Sequence, residues 1–111
     1  MNLTEKKCKP CEGGIPKLNS GEINTYNSQL KTPWLITDDI KISNEYQFKD
    51  FLQTINFVNK IADIAEKEGH HPVMHVYYSK VMVELWTHAI LGLSENDFIL
   101  AAKIDNLIEK H

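Results

Sequence analysis

Apolar side chains between residues 47 and 68 recur at steps of three or four positions. That spacing places them on one stripe of an α-helix, with the charged residues largely off the stripe. The sequence therefore predicts a long amphipathic helix over residues 47–68, which Gly69 is placed to end. A helix with so broad an apolar face needs a surface to cover, and a sheet is the simplest partner. The stripe consists of Phe48, Phe51, Leu52, Ile55, Val58, Ala62 and Ala65, and it is widened by Phe57, Ile61 and Ile64.

Two other parts of the chain have the pattern of β-hairpins. Residues 34–36 form a short apolar run, a pair of aspartates favours a turn, and residues 40–43 then alternate between apolar and polar. Residues 73–78 and 81–86 also alternate with a period of two, on either side of a short polar turn. We therefore predict two hairpins, one before and one after the long helix.

Shorter helices are predicted near both ends of the folded region. Ser20 is a helix-capping residue type with an acidic residue close behind it, which predicts a helix over 20–31 that Pro33 stops. Ser94 is a second capping candidate, and Asp97 stands at the third helical position, as in a capping box. Apolar residues then carry this last helix to the end of the chain.

The predicted elements follow the order α-β-β-α-β-β-α. This order favours the α+β class, with one four-stranded antiparallel sheet and helices packed on one face. Residues 1–18 contain several glycine and proline breakers and are interpreted as an N-terminal leader and loop. Residues 19–111 are interpreted as a single domain, since 111 residues are one domain's worth. A domain of this size leaves much of its surface wet, so association with identical subunits would be a natural supplement.

Composition and charge exclude several classes of protein. The chain is 42% hydrophobic and 24% charged, which is ordinary for a folded domain. Its net charge is −3, and no basic face is large enough to follow a phosphate backbone, so direct nucleic-acid binding is not expected. The N-terminus lacks the apolar core of a signal peptide, and no apolar run approaches a bilayer span. We therefore expect a soluble cytoplasmic protein that does not bind membranes.

Two cysteines, Cys8 and Cys11, form a Cys-x-x-Cys arrangement near the N-terminus. A structural zinc site normally needs four ligands, and the sequence has no second cysteine pair. A thioredoxin-like redox pair would be expected beside a βαβ pattern, which does not follow here. The simplest interpretation is a mobile leader whose thiols are reduced in the cytoplasm.

Four of the five histidines lie between positions 70 and 88. Adjacent His70 and His71 follow the helix-ending glycine, and the returning strand of the second hairpin brings His88 back near His71. Imidazoles suit proton transfer near neutral pH, and Asp97 is placed to approach them, so the group suggests acid–base catalysis. A solvated turn, a zinc site and, for Asp97, a simple charge at a helix terminus remain open alternatives. His75 alternates with valines and is interpreted as a packed or surface residue.

These residues also resemble the signature of the pterin-4a-carbinolamine dehydratase family. The resemblance covers roughly residue 34 to the C-terminus, including the words Gly-Leu-Ser-x-x-Asp-Phe and Leu-Ala-Ala-Lys-Ile-Asp. The cysteine-containing leader is also similar to that of many bacterial members. A pattern with fixed gaps is far more specific than a lone His-His-Pro. Its positions are all filled here, by Glu66, His70, His71, Pro72, Tyr78, His88 and Asp97.

The resemblance implies dehydration of 4a-hydroxytetrahydrobiopterin, or a related 4a-hydroxytetrahydropterin, to the quinonoid dihydropterin. Family members recycle the pterin of aromatic amino-acid hydroxylases, so a link to phenylalanine hydroxylase is implied. They use no metal or organic cofactor, because the pterin is the substrate, and they form dimers or tetramers. Some relatives instead have an interaction role, binding a transcription factor, and recruitment to another pterin pathway is a further alternative.

The resemblance also implies roles for individual residues. His70 and His88 are expected to be the acid–base pair, His71 to bind or orient the substrate, and Asp97 to tune His88. Met74 occupies a position where animal members commonly carry Trp, which affects the choice of pterin rather than the reaction. The remaining residues expected to contact the substrate are Glu66, Pro72, Tyr78, Thr87, Ala89 and Ile90.

Overall fold

The computed structural model describes residues 3–8 and 16–108. These residues form three α-helices, four strands and two short 3-10 segments, at Leu3–Glu5 and His88–Ile90. No helix within the described ranges is both long and apolar enough to cross a membrane. In chain order the regular elements are α1 (Ser20–Ser28), β1 (Leu35–Thr37), β2 (Lys41–Gln47), α2 (Phe51–Glu68), β3 (Val73–Val76), β4 (Lys80–Leu85) and α3 (Glu95–Ile108).

The four strands form one antiparallel sheet in the order β1-β2-β4-β3. Side chains on β4 alternate between fully buried and half-exposed, because helices cover only one face. Phe57 of α2 packs on Tyr46 of β2 with ring centroids 4.8 Å apart. Trp34, just before β1, meets the same Tyr46 ring at 6.4 Å. The predicted α+β class and element order are confirmed.

Element boundaries differ from prediction where tertiary pairing decides them. β2 runs on to Gln47 because its second half pairs with β4, which a local pattern does not reveal. α2 therefore begins at Phe51 rather than near residue 47, with the Asp50 side chain accepting the Gln53 backbone N–H at 2.9 Å. α1 is capped by Asn19 and not by Ser20, since the Asn19 side chain and Glu22 form a reciprocal capping box.

The predicted turn between β1 and β2 is confirmed. Asp38 and Asp39 both adopt left-handed backbone conformations, with φ of 53° and 56°. Two consecutive left-handed residues match the twist of a two-residue hairpin, and aspartate tolerates them because its side chain is short and polar. The Asp39 carboxylate accepts a hydrogen bond from the Ser20 hydroxyl and so ties the turn to α1.

The described part of the N-terminal segment is attached to the domain. Leu3 is buried against the core, and Lys6 forms an ion pair with Glu95 of α3 at 2.5 Å. The Cys8 backbone N–H donates to Glu68 at the end of α2 at 2.8 Å. Residues 3–8 therefore pack on α3 and α2, contrary to the expectation of a mobile leader at these positions. Cys11 lies outside the described residues.

Glu68 also accepts a hydrogen bond from Lys103 of α3 at 2.6 Å, with both side chains largely buried. Burial favours the neutral acid, but the Cys8 N–H and the Lys103 ammonium group outweigh it and lower the pKa of Glu68. A lowered pKa in the folded state stabilises the protein above the unfolded pKa, near 4.5, and this contribution is lost as the pH falls through the folded value.

We therefore predict that Glu68→Gln lowers the free energy of unfolding by about 1–3 kcal/mol at pH 7. The gap to the wild-type protein should shrink as the pH falls below about 4.5, because protonated Glu68 resembles glutamine. Urea unfolding at a series of pH values measures this gap. Glu66→Gln is the matched control on the same helix, since the Glu66 side chain is 79% exposed. A gap that does not change with pH would contradict the prediction.

Candidate active site

The C-terminal end of α2 fixes the position of the first histidine. Gly69 adopts a left-handed conformation with φ of 66°, and its N–H donates to the Ala65 carbonyl at 2.9 Å. Glycine suits this position because residues with a Cβ pay for left-handed backbone. The reversal ends the helix as predicted and turns the next residue, His70, into the interior, where it is only 5% exposed.

His70 meets a buried carboxylate there. Its Nε2 lies 2.6 Å from Oδ1 of Asp97, a side chain with no solvent exposure. The other carboxylate oxygen, Oδ2, accepts the Thr87 hydroxyl at 2.9 Å and the Ser94 backbone N–H at 3.0 Å. The Thr87 and Ser94 hydroxyls are themselves hydrogen-bonded at 2.7 Å. Both oxygens of Asp97 therefore have partners, as a buried charge requires.

The start of α3 explains why this carboxylate is tolerated in the interior. Asp97 lies in the first turn of α3, where the helix dipole favours negative charge. Its bond to the Ser94 N–H is half of the predicted capping box. The same carboxylate thus begins a helix and holds an imidazole. It orients the His70 ring and fixes which nitrogen carries the proton.

Two further imidazoles lie at the surface beside this pair. His71 is exposed and its Nε2 lies 3.1 Å from Oε1 of Glu66, one turn back in α2. His88 is exposed in the 3-10 turn after β4. All three histidines line one depression of about 370 Å³, a volume in the range of small-molecule sites. Its lining is completed by Gly69, Trp86 and Ala89.

Comparison with known proteins decides the family. Residues 16–107 match the family model described as Pterin 4 alpha carbinolamine dehydratase. The chain belongs to this dehydratase family. A Rickettsia bellii relative is 49% identical over 106 residues, covering 96% of this chain and 94% of its own. A Nitrosomonas europaea relative is 51% identical over 108 residues, covering 97% and 95%. Both carry the provisional name pterin-4-alpha-carbinolamine dehydratase.

Two solved structures share the fold of this dehydratase family. The Brucella melitensis protein titled transcriptional coactivator/pterin dehydratase is 32% identical, with a TM-score of 0.77 over 83% of this chain and 98% of its own. A pterin dehydratase-like protein titled a RuBisCO assembly factor of the alpha-carboxysome is 26% identical, with a TM-score of 0.58 over 67% of this chain and 87% of its own. The family fold therefore occurs in proteins whose titles give different roles.

The structure corrects the partner expected for Asp97. The resemblance to the dehydratase family implied that Asp97 tunes His88. Instead its carboxylate contacts His70, Thr87 and the Ser94 backbone. The end of α2 and the start of α3 meet in the interior, while His88 sits in an exposed turn. Spacing along the chain did not reveal which of two nearby imidazoles the carboxylate would reach.

The other residues expected to contact the substrate do not all line the depression. Pro72 separates His71 from β3, and Thr87 is buried in the network around Asp97. Ala89 lines the depression, whereas Ile90 is half-buried at the end of the same 3-10 turn and does not. Met74 was expected to contact the substrate, but it is opposite Val83 on the helix-covered face and packs against the core.

Tyr78 lies away from the histidines within the chain. Its carbonyl accepts the Thr54 hydroxyl at 3.0 Å, near the start of α2, whereas His70 follows the end of that helix. Thr54 and Gly69 are about 22 Å apart along the helix axis at 1.5 Å per residue. Tyr78 is therefore near the opposite end of α2 from His70 and is not among the residues that line the depression.

Trp86 and Gly69 line the depression but were not among the expected site residues, and Gly69 was predicted only to end α2. Trp86 directly follows β4 and precedes the candidate imidazole of His88 by two positions along the chain. That relation was the available signal. The described residues contain no group of three or more His, Cys, Asp and Glu side chains that could hold a metal ion.

The pair formed by His70 and Asp97 leads to a spectroscopic prediction. In Asp97→Asn the amide oxygen keeps accepting from the Ser94 N–H, so the amide NH₂ must face His70. His70 Nε2 then becomes an acceptor, and the ring proton moves to Nδ1. We expect ¹⁵N NMR to show this tautomer change, with a loss of about 1–3 kcal/mol in the free energy of unfolding.

Asp63→Asn is the control, because it makes the same chemical change on the exposed face of α2. Unchanged His70 nitrogen shifts in Asp97→Asn, with the fold intact, would show that the carboxylate does not set the tautomer.

Proposed function

We propose that this protein dehydrates a 4a-hydroxytetrahydropterin to the quinonoid dihydropterin and water. The observation that carries the proposal is the meeting of three imidazoles in one depression, one of them held by a buried carboxylate. Membership of the dehydratase family supports the same reaction. Of the pterins in this class, 4a-hydroxytetrahydrobiopterin is the proposed substrate.

The reaction needs two proton transfers on neighbouring substrate atoms. The C4a–OH bond breaks as an acid protonates the leaving oxygen, and a base removes the proton from N5 as the N5=C4a double bond forms. One imidazolium and one neutral imidazole perform these steps without any net change in the protein's charge. We assign them to His70 and His88. His70 follows the end of α2, and His88 follows the end of β4.

The other residues of the depression hold the substrate. His71 is oriented by Glu66 and offers a ring nitrogen to the pterin, while the Trp86 indole provides a flat apolar surface for the bicyclic ring. Asp97 is a positioning residue that acts through His70. The pterin is the substrate in this scheme, and the scheme uses no metal or organic cofactor. The proposed setting is the cytoplasm, where the product would return to an aromatic amino-acid hydroxylase such as phenylalanine hydroxylase.

Stopped-flow absorbance tests the reaction with freshly generated 4a-hydroxytetrahydropterin. Wild-type protein should accelerate formation of the quinonoid product over the spontaneous rate. His70→Ala and His88→Ala should each lose about 10²- to 10⁴-fold in kcat, the usual contribution of a general acid or base. His75→Ala is the matched control, since His75 is an exposed imidazole on β3 that contacts Glu84 and lies outside the depression. Absence of any acceleration by wild-type protein would reject the proposed reaction.

A protein-interaction role is the second candidate. The observation in its favour is that the two related structures carry the titles of a transcriptional coactivator and of a RuBisCO assembly factor. A variant lacking His70, His71 and His88 separates interaction from catalysis, because restoration of a deletion phenotype by that variant would favour the interaction role.

Recruitment to another pterin pathway is a third candidate function.

We also propose that copies of the chain associate into a dimer or tetramer. The support is a set of exposed apolar side chains at one end of the molecule, around the start of α2 and the β3–β4 turn. Phe51 is 52% exposed, Leu52 81% and Tyr78 77%. Clustered exposed apolar side chains of this size are typical of an interaction surface.

Light scattering after size exclusion tests this association. Leu52→Asp should lower the molar mass toward the 12.8 kDa of a single chain, because it places a charge in the apolar contact. Asn59→Asp adds the same charge at an exposed polar position of α2 and should leave the mass unchanged. A wild-type mass of one chain would reject the proposal.

A further inference from the structure

The histidine depression shares Trp86 with a second depression. This second depression, of about 280 Å³, lies at the β1–β2 turn and is lined by Thr37, Asp38, Ile40, Lys41 and Trp86. Trp86 is the one residue that lines both. Trp86 therefore connects the depression that carries the imidazoles with the depression at the turn.

Strand register explains the arrangement. The pairs Ile42↔Leu85 and Ser43↔Glu84 join β2 to β4, and one further step places Lys41 opposite Trp86. Thr37 pairs with Lys41 across the first hairpin. The β1–β2 turn is thus held beside the end of β4, just two residues before His88. The position of the β1–β2 turn beside Trp86 is therefore determined by the backbone pairing of the sheet.

The chemistry of a pterin says which part of it would reach the turn. The reacting atoms C4a and N5 must lie among the imidazoles. The ring atom C6 is bonded directly to N5, and it carries the substituent by which natural pterins differ. Any substituent at C6 therefore leaves the ring from the atom next to N5, so it needs space directly beside the imidazoles. The depression that shares Trp86 offers such space.

We propose that the depression at the β1–β2 turn receives the C6 substituent of the pterin and selects a neutral, hydroxylated one. The proposal rests on the dehydratase function and extends it to the choice of substrate. Trp86 and Ile40 offer apolar surface to the carbon chain, and Thr37 and Asp38 offer oxygens to its hydroxyl groups.

The charges of this depression oppose an anionic substituent. Lys41 is paired with Glu84 at 3.3 Å, so its charge is already compensated. Asp38 also lines the depression, and no hydrogen bond links its carboxylate to another residue in the ranges 3–8 and 16–108, so its negative charge is not compensated there. A carboxylate or phosphate attached at C6 would meet this charge, whereas a hydroxyl group can donate to it.

Calorimetric titration with stable oxidised pterins tests the proposal without turnover. The ligands are biopterin with two hydroxyls at C6, 6-methylpterin with none, and 6-carboxypterin with a negative charge. Wild-type protein should bind biopterin most tightly. Asp38→Asn should reduce the preference for biopterin over 6-methylpterin about three- to tenfold, because a charge-assisted hydrogen bond becomes a neutral one. It should also strengthen binding of 6-carboxypterin about three- to tenfold.

Asp39→Asn is the matched control. Asp39 is the adjacent turn residue with the same charge and the same left-handed backbone, but its carboxylate accepts from Ser20 and does not line the depression. Asparagine tolerates left-handed backbone, so both variants keep the turn. Trp86→Ala should weaken all three ligands, because Trp86 lines both depressions. Equal preferences in Asp38→Asn and Asp39→Asn would overturn the proposal.

The outcomes also separate this proposal from the proposed reaction. If the preference depends on Asp38 but the protein does not accelerate dehydration, the proposed binding site is supported and the proposed reaction is rejected. If the protein accelerates dehydration but the preference does not depend on Asp38, the proposed reaction is supported and this binding site is rejected.

Discussion

The hydrogen bond between His70 and Asp97 is the contact on which the rest of the site depends. It joins the end of α2 to the start of α3, and Thr87 adds the end of β4 to the same carboxylate. Taking a carboxylate out of water is expensive, and here three donors and the start of a helix compensate it. Loss of any one partner would leave a buried charge incompletely satisfied. The packing of α2, α3 and β4 against one another therefore determines the geometry of the depression.

This dependence gives the three histidines different physical situations. His70 is held by the interior and has little freedom, while His71 and His88 sit at the surface, where they can adjust to a ligand. A rigid imidazole beside two adaptable ones suits a reaction that needs both a fixed proton position and a substrate that enters from water. The sheet adds Trp86 as a flat wall. The buried His70 alone could not adjust to the substrate, and the exposed His71 and His88 alone could not provide a fixed proton position.

Much of the fold could be predicted from the sequence because its signals are local. The periodicity of α2, the alternation of the hairpins and the pairing of Asp97 with Ser94 each act within a few residues. The periodicity of α2 predicted a helix, but the predicted stripe was wrong about the buried face. Thr54, Phe57, Ile61 and Ala65 are buried, whereas Phe51, Leu52 and Ala62 of the stripe are exposed. Where prediction failed, a distant partner decided the outcome. β2 continues to Gln47 because β4 pairs with it, and Asp97 turns to His70 because two helix ends meet. For the site, the spaced signature indicated which residue types cluster, but it could not show that Met74 packs inward or that Trp86 forms a wall.

The length of α2 has a consequence for the way such a protein can diverge. Its 18 residues hold the exposed apolar end and the histidine end about 27 Å apart. Substitutions at that separation usually act additively, since they share no neighbours. Each end can therefore accumulate changes under its own selection, without a penalty imposed by the other. A rigid rod between two surfaces lets a single small domain acquire or lose a partner while its chemistry persists, or lose its chemistry while its partner persists.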